Sequence, residues 1–207
     1  MIFKNLVVGE LETNCYILGD DETLEGMVID PGGEIDLIEK AIKQSNLRIK
    51  YIVLTHGHGD HIAVLAELKS KTGAQILIHH LDAEMLSEPE KNLSAFSYNP
   101  VFAPKGDRLL EDRDKIKIGN VELEVLHTPG HTEGSISLVT GKIIFTGDLI
   151  FYNSVGRTDL PGGSLQKLLR SIQEKILDKE DDMVIYPGHG PSTTVGEEKS
   201  NNPFINL

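Results

Sequence analysis

The chain has 207 residues, 39% of them hydrophobic, enough to bury a substantial core without a metal or disulfide to hold it. Its 32 acidic against 20 basic residues give a formal charge of -12 at pH 7, with no lysine or arginine cluster to offset the field, which argues against nucleic acid as a partner. Cys15 is the only cysteine, so no intrachain disulfide and no cysteine-rich zinc site can form; the residue reads as a small buried apolar group in a chain compatible with a reducing compartment.

In chain order, the segments IFKNLVVG, NCYILGD and GMVIDPGG read as consecutive antiparallel strands, the last closed by Pro31, Gly32 and Gly33. EIDLIEKAIKQSN places Ile35, Ile38 and Ile42 at helical spacing, and IKYIVLT follows as a short β-branched strand. HIAVLAELKSKTG predicts a helix ending at Gly73, and AQILIHH a further strand. Residues 88–107, rich in proline, serine and asparagine, read as a long surface loop of the kind that borders function.

The second half resumes with KIKIGNVELEVLHTPG, a hairpin about Gly119 and Asn120, then two strands joined near Thr140 and Gly141. SLQKLLRSIQEKIL sets Leu165, Leu168, Leu169, Ile172 and Ile176 on one helical stripe, and DMVIYPGHG is a final strand running into a glycine-bounded loop. Strands followed by helix, twice over, suggest two similar halves. With no long linker, repeat or low-complexity tract, one domain over residues 1–207 is expected, in which two sheets pack face to face with helices outside. The start MIFKNLVVGELETN lacks the apolar core of a signal peptide, and no apolar run elsewhere can span a bilayer. The expectation is a cytoplasmic protein without a membrane partner.

Chemistry concentrates in YIVLTHGHGDHIAVL. His56 and His58, two residues apart in extended backbone, project to one side and can share an ion. Asp60 and His61 follow where the chain turns into a helix and can reach a second position, with Gly57 and Gly59 relieving the crowding. The plainer reading, a helix-capping aspartate among loop histidines, fits poorly with four ligand-type residues in six positions. HTPGHT, FTGD and YPGHG each end a strand with a ligand-type residue beside glycine, which makes His131, Asp148 and His189 natural completions. His56, His58 and His131 would then hold one ion, Asp60, His61 and His189 the other, and Asp148 would bridge. Within HTPGHT, His131 is preferred over His127 because it follows Gly130, which leaves His127 to support a ligand or to serve structure, and His79 and His80 read as ordinary strand-end histidines.

With these positions assembled, the chain resembles the metallo-β-lactamase-fold hydrolases, and most closely their glyoxalase II-like branch. The resemblance runs over nearly the whole length on VIDPGG, THGHGDH, HTPGHT, FTGD, SVGRTDLPGG and YPGHGPSTT, in the family's order. It implies an α+β fold, a four-layer αββα sandwich of two mainly antiparallel sheets with a metal site at one edge. It carries ligand roles onto His56, His58, Asp60, His61, His131, Asp148 and His189, and makes Asp30 a supporting residue that hydrogen-bonds the metal loop. Classical glyoxalase II enzymes add a helical carboxy-terminal region that holds the glutathione part of the substrate, whereas this sequence ends at Leu207. Lactamases of this fold commonly place cysteine where Asp148 stands, which disfavours antibiotic hydrolysis.

Imidazoles and carboxylates without thiolate suit zinc, with iron or manganese as alternatives. Two divalent ions can hold a bridging hydroxide at neutral pH, because coordination lowers the pKa of water from about 15.7 to about 7. Asp60 would ligate and orient it, while one ion stabilises the oxyanion. A small-molecule thioester such as S-lactoylglutathione suits this centre, since its thiolate, of parent pKa about 8.5, departs without strong acid assistance. Within NSVGRTDLPGG, Arg157 can pair with a substrate carboxylate, or Arg157 and Asp159 can simply pin the loop to the body, and Tyr152 is a weaker candidate for substrate contact. Two rival expectations are an iron-dependent persulfide dioxygenase of the same fold, holding one iron by two histidines and an aspartate, and a non-catalytic metal-binding protein.

Overall fold

The structure is a computed structural model that describes residues 1–96 and 99–205; residues 97 and 98 of the expected long loop lie outside the described residues. One sheet runs in the order β1 (Ile2–Val8), β2 (Thr13–Gly19), β3 (Glu25–Ile29), β4 (Arg48–Val53), β5 (Gln75–His79), β6 (Arg108–Leu110). The other runs β14 (Thr193–Thr194), β13 (Val184–Pro187), β10 (Ile143–Gly147), β9 (Ile136–Thr140), β8 (Val121–His127), β7 (Lys115–Ile118). A short hairpin of β11 (Ile150–Phe151) and β12 (Ser154–Val155) lies beside them.

Strand alternation explains the layering, because successive side chains leave a strand on opposite faces. On β2, Tyr16 and Leu18 enter the core between the sheets, where they meet Val125, Leu138 and Phe145. Cys15 and Ile17 face the other way. There they pack under α1 (Ile35–Gln44) and α3 (Leu65–Thr72), through Ile38, Ala41, Leu65 and Leu68. On the far side, Ile144 and Ile185 pack against Leu168, Ile172, Ile176 and Val195 of the segments α4 (Leu165–Ser171), a π-helical turn (Ile172–Ile176) and α5 (Val195–Asn201). Strands covered on both faces read as short apolar runs, which is how MVI of β3, YIV of β4 and ILI of β5 appear in the sequence. The result is helix, sheet, sheet, helix.

Several details depart from the sequence reading. The second sheet is antiparallel except at β10 with β13. The first is mixed: β1, β2 and β3 pair antiparallel, but β3 to β6 pair parallel, α1 returning the chain between β3 and β4 and α3 between β4 and β5. The helix expected from His61 onward is broken into α2 (Gly59–Ile62) and α3. The expected long loop is preceded by a 3-10 segment, His80–Ser87, and contains another at Ser94–Phe96. Leu165 does not belong to the covered stripe of α4 and is 51% exposed. The helix backbone meets the loop after β8 at Leu168, where Gly130, at φ 143, leaves no room for a Cβ. Among the described residues no helix is long and apolar enough to cross a membrane.

Candidate metal centre

β4, β8, β10 and β13 end at one edge of the sandwich, and the chain leaving each delivers its polar residue there: His56, His131, Asp148 and His189. His58 and α2 add the rest, with His61 buried and Asp60 in the first helical turn. All seven expected ligands are brought together. His56, His58 and His131 offer one donor atom each within 4.8 Å of one another, as do Asp60, His61 and His189, and as do His56, His61 and Asp148. Asp148 spans the two groups, with Oδ1 3.4 Å from His61 Nε2 and Oδ2 3.6 Å from both His131 Nε2 and His189 Nε2.

Four of the five imidazoles are held from behind. His131 Nδ1 donates to the Arg157 carbonyl at 2.8 Å and His189 Nδ1 to the Leu11 carbonyl at 2.9 Å. His61 Nδ1 donates to Asp30 Oδ2 at 3.0 Å. Thr55 Oγ1 donates to the same oxygen at 2.6 Å, and it accepts from His56 Nδ1 at 3.1 Å. Asp30 Oδ1 in turn accepts the Thr55 N–H at 2.8 Å. Fixing these protons on Nδ1 turns the Nε2 lone pairs of His56, His61, His131 and His189 inward.

Inward lone pairs need partners: His131 Nε2 has His58 Nδ1 at 2.9 Å, but among the described residues not every donor of the set is matched. His56 Nε2 and Asp148 Oδ1 are buried without a hydrogen bond. His61 Nε2 and His189 Nε2 lie 3.3 Å apart, and Asp60 Oδ2 is 3.5 and 3.2 Å from them. Buried polar atoms are rarely left unpaired, so the set fits cations at its centre. The charge balance agrees. Burial pulls the His61 imidazole down, but Asp60, Asp148 and Asp30 outweigh it and hold its pKa well above the usual value. Burial pushes the Asp60 and Asp148 carboxyls up, yet the facing histidines, His61 foremost, hold both below the usual range. Positive charge is demanded between the carboxylates, as a proton on His61 or as metal ions. Burial, then the neighbouring rings, keeps His56 neutral and lowers the His58 pKa to about 3, the state in which imidazole ligates.

Three supports escaped the sequence reading. Asp82, buried in the first 3-10 segment, accepts from Gly57 N (3.1 Å), Gly134 N (2.7 Å) and Thr132 Oγ1 (2.7 Å), tying the two histidine loops together. Tyr16 Oη donates to the Pro187 carbonyl at 2.7 Å, and Asn14 N to the Gly188 carbonyl at 2.7 Å, which hold the His189 loop. Nothing in HHLDAEM or ETNCYIL marks these residues, since their partners are far along the chain. Gly57 and Gly59 make room for the covering segment rather than for the ligands: a Cβ on either would strike Met85 or Ser94. Gly188 is the glycine that admits ligands, its Cβ position lying 2.1 Å from Asp148 Oδ1. The Arg157 guanidinium forks onto Asp159 at 2.9 and 2.8 Å, both side chains exposed. Tyr152, next to the Phe151 ring that meets His189, is 49% exposed.

A sandwich of two sheets between helices, with two histidine–carboxylate clusters at the strand ends, defines a metal-dependent hydrolase class. The chain belongs to the metallo-beta-lactamase superfamily, whose model matches residues 8–189. It is 37% identical to hydroxyacylglutathione hydrolase GloC of Haemophilus influenzae, across 100% of this chain and 99% of that protein. The crystal structure of BLEG-1 B3 metallo-beta-lactamase superposes with a TM-score of 0.94 at 35% identity, covering 100% of both chains. That of TTHA1623 in a di-iron-bound form gives 0.84 at 32% identity, covering 97% of this chain and 99% of that one.

Proposed function

We propose that the chain is a binuclear metal-dependent thioester hydrolase of the glyoxalase II type. His56, His58 and His131 would hold one ion, Asp60, His61 and His189 the other, and Asp148 would serve both. The observation that carries this reading is the placement of Asp148 between two complete donor sets. When bound, such ions polarise a carbonyl and lower the pKa of water to about 7. The protein's part is to fix the donors and to leave an approach beside Asp60, whose side chain is 24% exposed and accepts from Thr13 Oγ1 at 3.4 Å. Asp60 can orient a nucleophile and hold its proton there, and a thiolate leaving group asks for no further acid. Zinc suits the donors and iron or manganese remain compatible; the di-iron form of TTHA1623 supports iron.

The thioester is chosen because GloC, aligned end to end with this chain, is a hydroxyacylglutathione hydrolase. The BLEG-1 structure favours a second reading, hydrolysis of a β-lactam. Metal-replete enzyme assayed against S-lactoylglutathione, a β-lactam and glutathione persulfide separates them. Turnover of the thioester with two ions per chain is expected. A single iron with oxygen uptake on the persulfide, or turnover of the β-lactam alone, would overturn the choice. His131→Ala is expected to lose metal and thioesterase activity together, checked by elemental analysis beside the rate.

A further inference from the structure

A second group of metal-type side chains sits outside this centre. β5 ends at His79, His80 begins the adjoining 3-10 segment, and Glu111 lies between β6 and β7. His79, His80 and Glu111 offer one donor atom each within 4.8 Å of one another. His80 Nδ1 is 3.0 Å from a Glu111 carboxylate oxygen. The His79 ring tilts against His80 at 4.4 Å and stacks on His127 at 4.2 Å and 9°. His127 backs this stack rather than joining the donors, because its Nε2 donates to the Glu133 carbonyl at 2.9 Å.

Two properties make the group a site and not only a contact. Packed imidazoles resist protonation: burial, then His127 and His80, lowers the His79 pKa to about 4, which leaves a neutral ring with a lone pair at neutral pH. The other two donors are reachable, the His80 side chain being 39% and that of Glu111 66% exposed, so an ion has access and both can close around it. The cost is one long hydrogen bond, Leu81 N to His79 Nδ1 at 3.3 Å. Ligation through Nδ1 takes that lone pair, and ligation through Nε2 requires the proton to move to Nδ1.

We propose that His79, His80 and Glu111 form a divalent-cation site separate from the central cluster. Two imidazoles and a carboxylate select borderline ions such as zinc, nickel or copper over magnesium or calcium. An ion there would join the end of β5 to the β6–β7 connection and stabilise that edge in proportion to its occupancy.

The test is calorimetric titration of Zn2+ into protein whose central sites are already filled. One further equivalent is expected in the wild type, with at least a 10-fold weaker Kd in Glu111→Ala, none in His80→Ala, and unchanged thioesterase activity and melting profile in both variants before zinc is added. No further equivalent in the wild type, or the same equivalent in both variants, overturns the site. The inference does not stand or fall with the central ligands. Adding His80→Ala to His131→Ala is expected to remove one equivalent from the zinc that the His131→Ala protein binds.

Discussion

Asp30 shows how much one side chain is asked to do. It sits at φ 51, an unusual conformation for a non-glycine residue, directly after β3. From there its two oxygens serve Thr55 and His61, and through the Thr55 hydroxyl also His56. Asp30→Asn keeps the shape but presents an amide to groups that need an acceptor. Such supporting changes cost about 10- to 100-fold in metal affinity or activity. We expect that loss in a zinc competition assay, with far-UV circular dichroism unchanged. At this scale the sequence was informative, because ligand-type residues stood beside glycines at strand ends. It could not reveal which ring nitrogen faces inward. For His131 and His189 that is decided by the carbonyls of Arg157 and Leu11, backbone atoms that carry no residue signature.

Between elements, Asp82 is the joint. Its carboxylate links the loop of His56 and His58 to the loop of His131 and underlies the 2.9 Å approach of His58 Nδ1 to His131 Nε2. Asp82→Ala would leave the buried N–H groups of Gly57 and Gly134 without their acceptor, a loss of about 3 kcal/mol, while Thr132 Oγ1 keeps its contact with Ser135 Oγ at 2.7 Å. Chemical denaturation is expected to show it, together with weaker metal retention. Asp20 is a second joint: it accepts from Asn120 N at 3.0 Å and Thr23 Oγ1 at 2.8 Å, holding the β7–β8 turn against the end of β2. The Asn120 N–H, then the Thr23 hydroxyl, holds its carboxyl below the ordinary value. A carboxyl depressed in the folded state stabilises fully above the unfolded pKa, about 3.9, and loses that contribution as pH falls through the folded value. Melting temperatures followed below pH 5 should therefore fall less steeply in Asp20→Asn than in the wild type. Periodicity located α1, α3 and α4 but misjudged Leu165, since coverage of α4 starts where Gly130 lets the backbone touch down.

For the molecule as a whole, the alternation of strands and helices was enough to predict two sheets with helices outside. The pairing within them was not legible: whether β4 lies parallel or antiparallel to β3 depends on where α1 returns the chain, and period-2 patterning is the same in both. Three carboxylates around His61 in a chain of formal charge -12 make cation removal expensive. Ions at about 1,000 times their Kd add about 4 kcal/mol to stability. A chelator is accordingly expected to lower the thermal midpoint by several degrees, and added zinc or iron to restore it. The inward-turned imidazoles bear on how such restoration proceeds. Because Leu11, Arg157, Asp30 and Thr55 aim the rings during folding, a departing ion leaves behind a stiff cage, and its replacement need not wait for loops to reorganise. Exchange of one metal for another then becomes a matter of supply and of the rate at which the incoming ion sheds its water, so the same polypeptide matured in zinc-rich or iron-rich surroundings should emerge with different cargo in identical scaffolding.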